Sequence, residues 1–246
     1  DDAVRFILST RCVGEGHIST IAFRAGVFHP DGTVELTPAP RIAQAALHEA
    51  SSPEDGPVSL NRAAGAALDE TVIFPVTRAQ MNGLEDLRLT AFNDGAEHKY
   101  IGTYTAFSGR ELRCERFETD DFQTFRLSPM RGDATLHKAL AFFPRKINGR
   151  YAAIGRRDHE SLFYLESDDL GVWEQGERIM TPEAAWELMQ VGNCGSPIAL
   201  DEGWLVITHG VGPVRQYALG AVLLDKADPR KVLARSATPL LEPGID

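Results

Sequence analysis

Apolar and β-branched residues recur along the chain in short runs, "VRFILSTR", "HISTIAFRAGV", "YIGTYTAF" and "GWLVITHGV" among them, separated by Gly, Asn and Asp turn residues. Runs of this length and composition predict strands, with alternate side chains directed to opposite faces. Helical periodicity is scarce. It predicts one helix over Arg41 to Ala50 and a weaker one near Asn61 to Leu68, with "SSPEDGP" between them as loop.

The strands repeat. "FETDDFQTF" and "LESDDLGVW" share an acid, a hydroxyl residue, two Asp, an apolar residue and an aromatic, and Asp120 and Asp168 stand 48 positions apart. A second series, Tyr100, Tyr151 and Trp204, each opening a strand after a turn, is spaced by 51 and 53 positions. Another strand precedes each: "LEDLRLTAF", "KALAFFPRKI" and "GSPIAL". A period near 50 with about four strands per repeat points to β-propeller blades, because one four-stranded sheet cannot bury both its faces alone. Residues 83–129, 138–180 and 195–235 make three blades, and the first three strand-like runs supply an earlier blade without its innermost strand. The expectation is therefore an all-β propeller, a single domain over 1–246 that lacks parts of its first and last blades, with a small helical insertion near 40–70.

Composition narrows the function classes. At 246 residues, 43% hydrophobic and 24% charged, the chain reads as a soluble globular protein. Its net charge of −10 argues against nucleic-acid and anionic-membrane partners, and no apolar run approaches the roughly 18 residues of a membrane span. Three scattered cysteines, Cys12, Cys114 and Cys194, form no disulfide framework and favour a reducing, cytoplasmic setting. There is no HExxH, P-loop or paired CxxC motif, so no metal or organic cofactor is expected, and "GVGPVR" lacks the third glycine of a dinucleotide loop. Homo-oligomerisation is left open.

In a propeller the innermost strands converge on a central channel. On those elements, or on the strands beside them, fall Arg11 in "RCVGEGH", the Glu85-Asp86-Arg88 cluster, Tyr104, His137-Lys138, Arg156-Arg157-Asp158, Asn193-Cys194 and His209. Acids, bases and aromatics in one funnel suit a sugar site, where polar groups hold hydroxyls and a carboxyl protonates the leaving oxygen. The blander readings are a structural ion pair for the acid–arginine cluster, a core histidine for His209 and turn chemistry for Asn193. The twin Asp pairs read as turn residues.

Taken in order, "GLEDLR", "YIGTYTAF", "KALAFFPRKINGRY", "SDDLGVW" and "GNCGSPIALDEGWLVITHGVGPVRQYALGAVLLDKADPRKVLARSATPLLEP" resemble glycoside hydrolase family 130, the β-mannoside phosphorylases and β-mannosidases built as five-bladed propellers. The likeness spans about residues 83–243. It implies cleavage of β-mannosidic linkages with inversion, by phosphate or by water. The alternative is a carbohydrate-binding propeller without catalysis. The family's Glu-Asp-Pro-Arg motif falls on Glu85, Asp86 and Arg88, with Leu87 in place of proline. This makes Asp86 the general acid, acting through a hydroxyl of the mannosyl ring, with Arg88 as its orienting partner. Lys138 and Arg156 match residues that hold inorganic phosphate, a candidate co-substrate, while the histidine expected before Arg156 is Gly155. Arg145, Lys146 and Arg157 are candidates to compensate. Arg11, Glu85, Arg88, Tyr104, Asn193 and His209 are the expected oligosaccharide contacts, and Glu160 and Glu202 the candidate bases if water is the nucleophile.

Overall fold

The computed structural model describes residues 2–48 and 55–244. The chain falls into two compact units, Asp1–Leu87 with Tyr104–Pro129, and Arg88–Thr103 with Met130–Asp246. Among the described residues the regular structure is strands and single 3-10 turns, and no helix is long and apolar enough to cross a membrane.

The first unit opens with a hairpin of β1 (Val4–Val13) and β2 (Ser19–Phe28), in which Val4 faces Phe28 and Val13 faces Ser19. The short strand β3 (Val34–Leu36) pairs with the far edge of β2. Next come β4 (Gln44–Ala45), β5 (Leu47–His48), β6 (Val58–Asn61) and β7 (Thr71–Ile73). The second blade is β8 (Gly83–Asp94), β9 (Glu97–Phe107), β10 (Leu112–Thr119) and β11 (Thr124–Pro129), neighbours in that order. The chain leaves the first unit within β8, after Leu87, and returns within β9, at Tyr104.

Segment 40–70 differs from the expected helical insertion. Its strands extend existing sheets: β7 pairs with β2 and carries β4, while β6 pairs with β11 and carries β5. Among the described residues, helical geometry there is limited to a 3-10 turn at Leu68–Glu70. The physical reason is burial. Ile42 and Leu47 are each 57% exposed, so a helix at 41–50 would have no core to cover, and short helices need one. Residues 49 and 50 of that expected helix, and most of "SSPEDGP", lie outside the described residues. The weaker candidate near 61–68 is broken by a turn in which Gly65 holds φ 79°.

An aromatic cluster fills the first unit. Phe23 is fully buried, stacks on Phe125 at 5.7 Å between ring centroids and meets Phe122 edge-on at 5.9 Å. Each such ring contributes on the order of 1.5–3 kcal/mol through burial.

The second unit holds two antiparallel blades. One is β12 (Ala141–Phe142), β13 (Tyr151–Gly155), β14 (Leu162–Ser167) and β15 (Gly176–Met180). The other is β16 (Gln190–Asn193), β17 (Ile198–Ala199), β18 (Trp204–Val211), β19 (Tyr217–Leu224) and β20 (Val232–Arg235), with β16 and β17 sharing one edge of β18. Trp204 meets Phe143 edge-on at 5.1 Å in the apolar layer between these blades, with Tyr164, Val206 and Leu224 around them. The all-β blade architecture expected from the period is the one observed.

Two details sharpen it. The last blade begins at Gln190–Asn193, ahead of "GSPIAL", which yields only the two-residue β17; Pro197 lacks an N–H and interrupts pairing there. The twin acids are turn residues, as expected. Asp121 accepts the Gln123 and Thr124 amides at 2.8 and 3.2 Å, and Asp169 accepts that of Gly171 at 2.8 Å. Asp120 and Asp168 each pair with an arginine, Arg126 and Arg150, at 2.6 and 2.9 Å.

Candidate active site

Within the first unit the "GLEDLRL" stretch enters β8 at Gly83. That residue holds φ 137°, and a Cβ there would come within 2.8 Å of the Ser19 backbone nitrogen, so only glycine permits the parallel bridge between Ser19 and Gly83. Three residues on, Asp86 adopts φ 55°. For a residue with a side chain the left-handed region costs about 1–2 kcal/mol, which surrounding contacts must offset.

Those contacts come from β1. Arg11 spreads its guanidinium over three acceptors: Nε donates to Ser19 Oγ at 2.9 Å, Nη2 to Glu85 Oε1 at 2.9 Å, and Nη1 to Asp86 Oδ1 at 3.2 Å. Ser9 Oγ donates to the Leu87 carbonyl at 3.3 Å. The Glu85 side chain is nearly buried at 11% exposure, whereas that of Asp86 is 42% exposed. An acid that must reach a substrate needs such access, and a buried carboxylate needs a cation. Asp86 therefore takes Arg11 as an ion-pair partner, a residue 75 positions away that the local motif does not reveal.

Tyr104 is placed differently from the sugar contact expected of it. It is 1% exposed and donates to Glu115 Oε2, while Gln80 Nε2 donates to the Tyr104 hydroxyl at 2.9 Å and to Glu115 at 2.7 Å. Arg113 Nε closes the network on Glu115 at 2.7 Å. Burial, and then the Glu115 charge, push the phenol well above its ordinary range, so it stays protonated as a donor. Its place is the core, where its two partners, Gln80 and Glu115, are buried as well.

The second unit gathers cations and imidazoles. Arg156 follows β13 directly, and His209 on β18 stands opposite Gly192 on β16. A Cβ on Gly192 would meet His209 Cε1 at 2.9 Å, its Nε2 at 3.1 Å and Arg156 Cδ at 3.2 Å. Glycine is thus what lets both side chains cross this strand. Gln190 Nε2 lies 3.2 Å from His209 Nε2, and Cys194 Sγ lies 3.8 Å from its Nδ1. Burial raises the Cys194 thiol above its ordinary range, opposed by the charge of Arg88, so it remains a neutral group beside the imidazole. Asn193 is fully buried; its Nδ2 donates to the Gly195 carbonyl at 3.4 Å, and its Oδ1 has no hydrogen-bond partner among the described residues.

Lys138 lies between His137 and Ala139, and Ala139 is itself held at φ 79°. The His137 ring meets that of His159 edge-on at 5.1 Å. Burial, then the His159 and Arg157 charges, hold His137 below its ordinary range, with Asp158 acting the other way. Asp158 is disfavoured as an anion by burial but is lowered on balance by the Ser161 and Glu160 amides at 2.7 and 3.0 Å. Arg145 and Lys146, the expected compensating cations, are otherwise engaged: Arg145 lies over Trp204 at 5.2 Å, and Lys146 over Tyr151 at 4.7 Å and 3.6 Å from Asp94. Glu160 and Glu202 stand exposed on turns. Sequence reading missed Ser19, Gln190, Gly192 and His159, each of which acts through a partner distant in sequence or on a turn that no motif marks.

Comparison with known proteins places the chain in a family. The model of glycoside hydrolase family 130, described as beta-1,4-mannooligosaccharide phosphorylase, matches residues 58–246. A 1,2-beta-oligomannan phosphorylase of Thermoanaerobacter sp. (strain X514) is 36% identical over 188 residues, covering 72% of this chain and 60% of the relative. A beta-1,2-mannobiose phosphorylase of the same organism is 38% identical over 182 residues, covering 72% of this chain and 58% of the relative. The chain thus spans about three fifths of the length of these relatives. Among solved structures, the beta-1,2-mannobiose phosphorylase from Listeria innocua in complex with beta-1,2-mannobiose superposes with a TM-score of 0.65 at 22% identity. That match covers 98% of this chain and 79% of the other, and it bears on the fold.

Proposed function

Because the chain belongs to glycoside hydrolase family 130, the beta-1,4-mannooligosaccharide phosphorylase family, we propose that the protein cleaves terminal β-mannosidic linkages by phosphorolysis with inversion. Phosphate attacks the anomeric carbon, the C1–O bond to the next sugar breaks, and the leaving oxygen takes a proton from a hydroxyl of the mannosyl ring, which Asp86 reprotonates. The products are α-mannose 1-phosphate and a shortened oligosaccharide. Supporting the choice of phosphate are two cations of the second unit, Lys138 and Arg156, which match the family's phosphate-holding residues, with Gly192 letting Arg156 and His209 lie across β16. Phosphate is already an anionic nucleophile, so it needs cations rather than a general base. Glu160 and Glu202, the carboxylates the sequence offers as bases for water, stand exposed on turns. The names of the curated relatives favour β-1,2 over β-1,4 linkages as the first substrate to try. Three unbridged cysteines fit a reducing, cytoplasmic setting.

The test is incubation of the full-length protein with β-1,2- and β-1,4-mannobiose, with and without inorganic phosphate. Mannose 1-phosphate formed only with phosphate supports the proposal, free mannose formed without it replaces phosphorolysis by hydrolysis, and binding without turnover leaves a carbohydrate-binding propeller. Asp86→Asn is expected to lower kcat by roughly 100-fold or more, the scale of general-acid catalysis. Full activity in that variant removes Asp86 from the acid role.

A further inference from the structure

The Arg11 guanidinium is held by more groups than a simple contact to a sugar would require. We propose that Arg11 is a positioning residue, clamped by Ser19 and Glu85, whose task is to hold the Asp86 carboxyl in its working orientation. This rests on the reading of Asp86 as the proton donor.

Four observations in the first unit carry it. Asp86 is a non-glycine residue at φ 55°, a conformation that persists only where its surroundings impose it. The β1–β2 hairpin grips this stretch at three levels: Ser19 against Gly83, Arg11 against Glu85 and Asp86, and Ser9 against the Leu87 carbonyl. The guanidinium is fixed before it reaches Asp86, since its Nε is spent on Ser19 Oγ at 2.9 Å and its Nη2 on the nearly buried Glu85 at 2.9 Å. Nη1 then bonds Asp86 through Oδ1 at 3.2 Å, while the Asp86 side chain remains 42% exposed toward solvent. A planar fork holds donors on three separate nitrogens in fixed directions, whereas the three donors of an ammonium radiate from a single atom on a flexible stem and fix no orientation. Glu85 then has a role of its own, as the buried anchor of Arg11.

The test separates positioning from substrate binding by the leaving group. A mispositioned acid slows departure of a sugar alkoxide, which needs its proton, but not that of 2,4-dinitrophenolate, which leaves as a stable anion. Arg11→Lys in the full-length protein should lower kcat on mannobiose about 100-fold, the scale of a misplacement near 1 Å, with KM little changed. On 2,4-dinitrophenyl β-mannoside, with phosphate, the same variant should stay within a few-fold of the natural enzyme. Ser19→Ala, a smaller change that keeps every charge, should show the same pattern at lower amplitude and guards against a folding defect in Arg11→Lys. Equal losses on both substrates, or an effect confined to KM, overturn the proposal and make Arg11 a substrate contact. Asp86→Asn is measured alongside. If it retains full rate on mannobiose, the acid assignment fails and the positioning role fails with it; if it shows the leaving-group pattern and Arg11→Lys does not, only the positioning role fails.

Discussion

Single residues in this chain owe their roles to partners far away in sequence. Tyr104 illustrates it. An aromatic hydroxyl near the end of a propeller strand is a reasonable sugar platform, yet here it closes a buried network with Gln80, Glu115 and Arg113. Tyr104→Phe should therefore destabilise the protein by about 1–3 kcal/mol, the cost of leaving buried polar partners unmatched. Thermal unfolding should report this while the KM for mannobiose is unchanged, and a raised KM without a stability loss would return Tyr104 to the substrate site. His137 offers a second check. Its folded-state pKa is depressed, by burial first and then by His159 and Arg157. The unfolded chain consequently binds the proton more readily, so His137 contributes stability above its unfolded pKa near 6.5 that is lost as pH falls through the lower folded value. The half-buried ring keeps the effect small. His137→Gln should flatten the decline of Tm between about pH 7.5 and 5, measured calorimetrically; an unaltered slope would show that other groups set the acid limb.

At the scale of elements, the close approach across β16 is the feature most sensitive to a single atom. A methyl at Gly192 would stand 2.9 Å from the His209 ring and 3.2 Å from the Arg156 stem, and both would have to shift. Gly192→Ala is expected to cost about 1–3 kcal/mol as an overpacking change and, on the reading of Arg156 as a phosphate ligand, to raise the KM for phosphate more than that for the sugar. Initial rates at varied phosphate check this; an unchanged phosphate KM would detach Arg156 from that role. Strands at this scale were legible because their run lengths and turn residues repeat: β8 to β11 fall within the predicted 83–129, and β12 to β15 within 138–180. The exceptions have local causes. Residues 41–48 carry apolar spacing compatible with a helix, but Ile42 and Leu47 find nothing to cover, and backbone pairing to β7 and β6 decides the conformation. Likewise Pro197 shortens the strand expected at 195–200, and "QVGN" just before it, with a single apolar side chain, opens the blade instead.

For the molecule taken whole, the sequence exposes chemical groups more readily than their connections. Asp86, Lys138, Arg156 and His209 can be read from motifs and strand ends, whereas the Arg11 fork depends on a 75-position separation that no local pattern encodes. Composition also constrains a global property, since a net charge of −10 disfavours diffuse anion binding. A phosphate that binds this protein must therefore find a local cationic site, and one that binds only the folded state raises the unfolding free energy by RT ln(1 + [L]/Kd). At phosphate about 100-fold above Kd that amounts to about 2.7 kcal/mol, which in a domain of this size should raise Tm by several degrees. Sulfate at equal ionic strength controls for the exclusion effect of kosmotropic anions, which acts on any folded surface. The expected result is a saturable Tm rise with phosphate that exceeds the sulfate effect and is lost in Arg156→Ala and in Lys138→Ala. A linear rise shared by both anions and both variants would mean that phosphate acts as a general stabilising salt, and would leave water as the better candidate for the nucleophile.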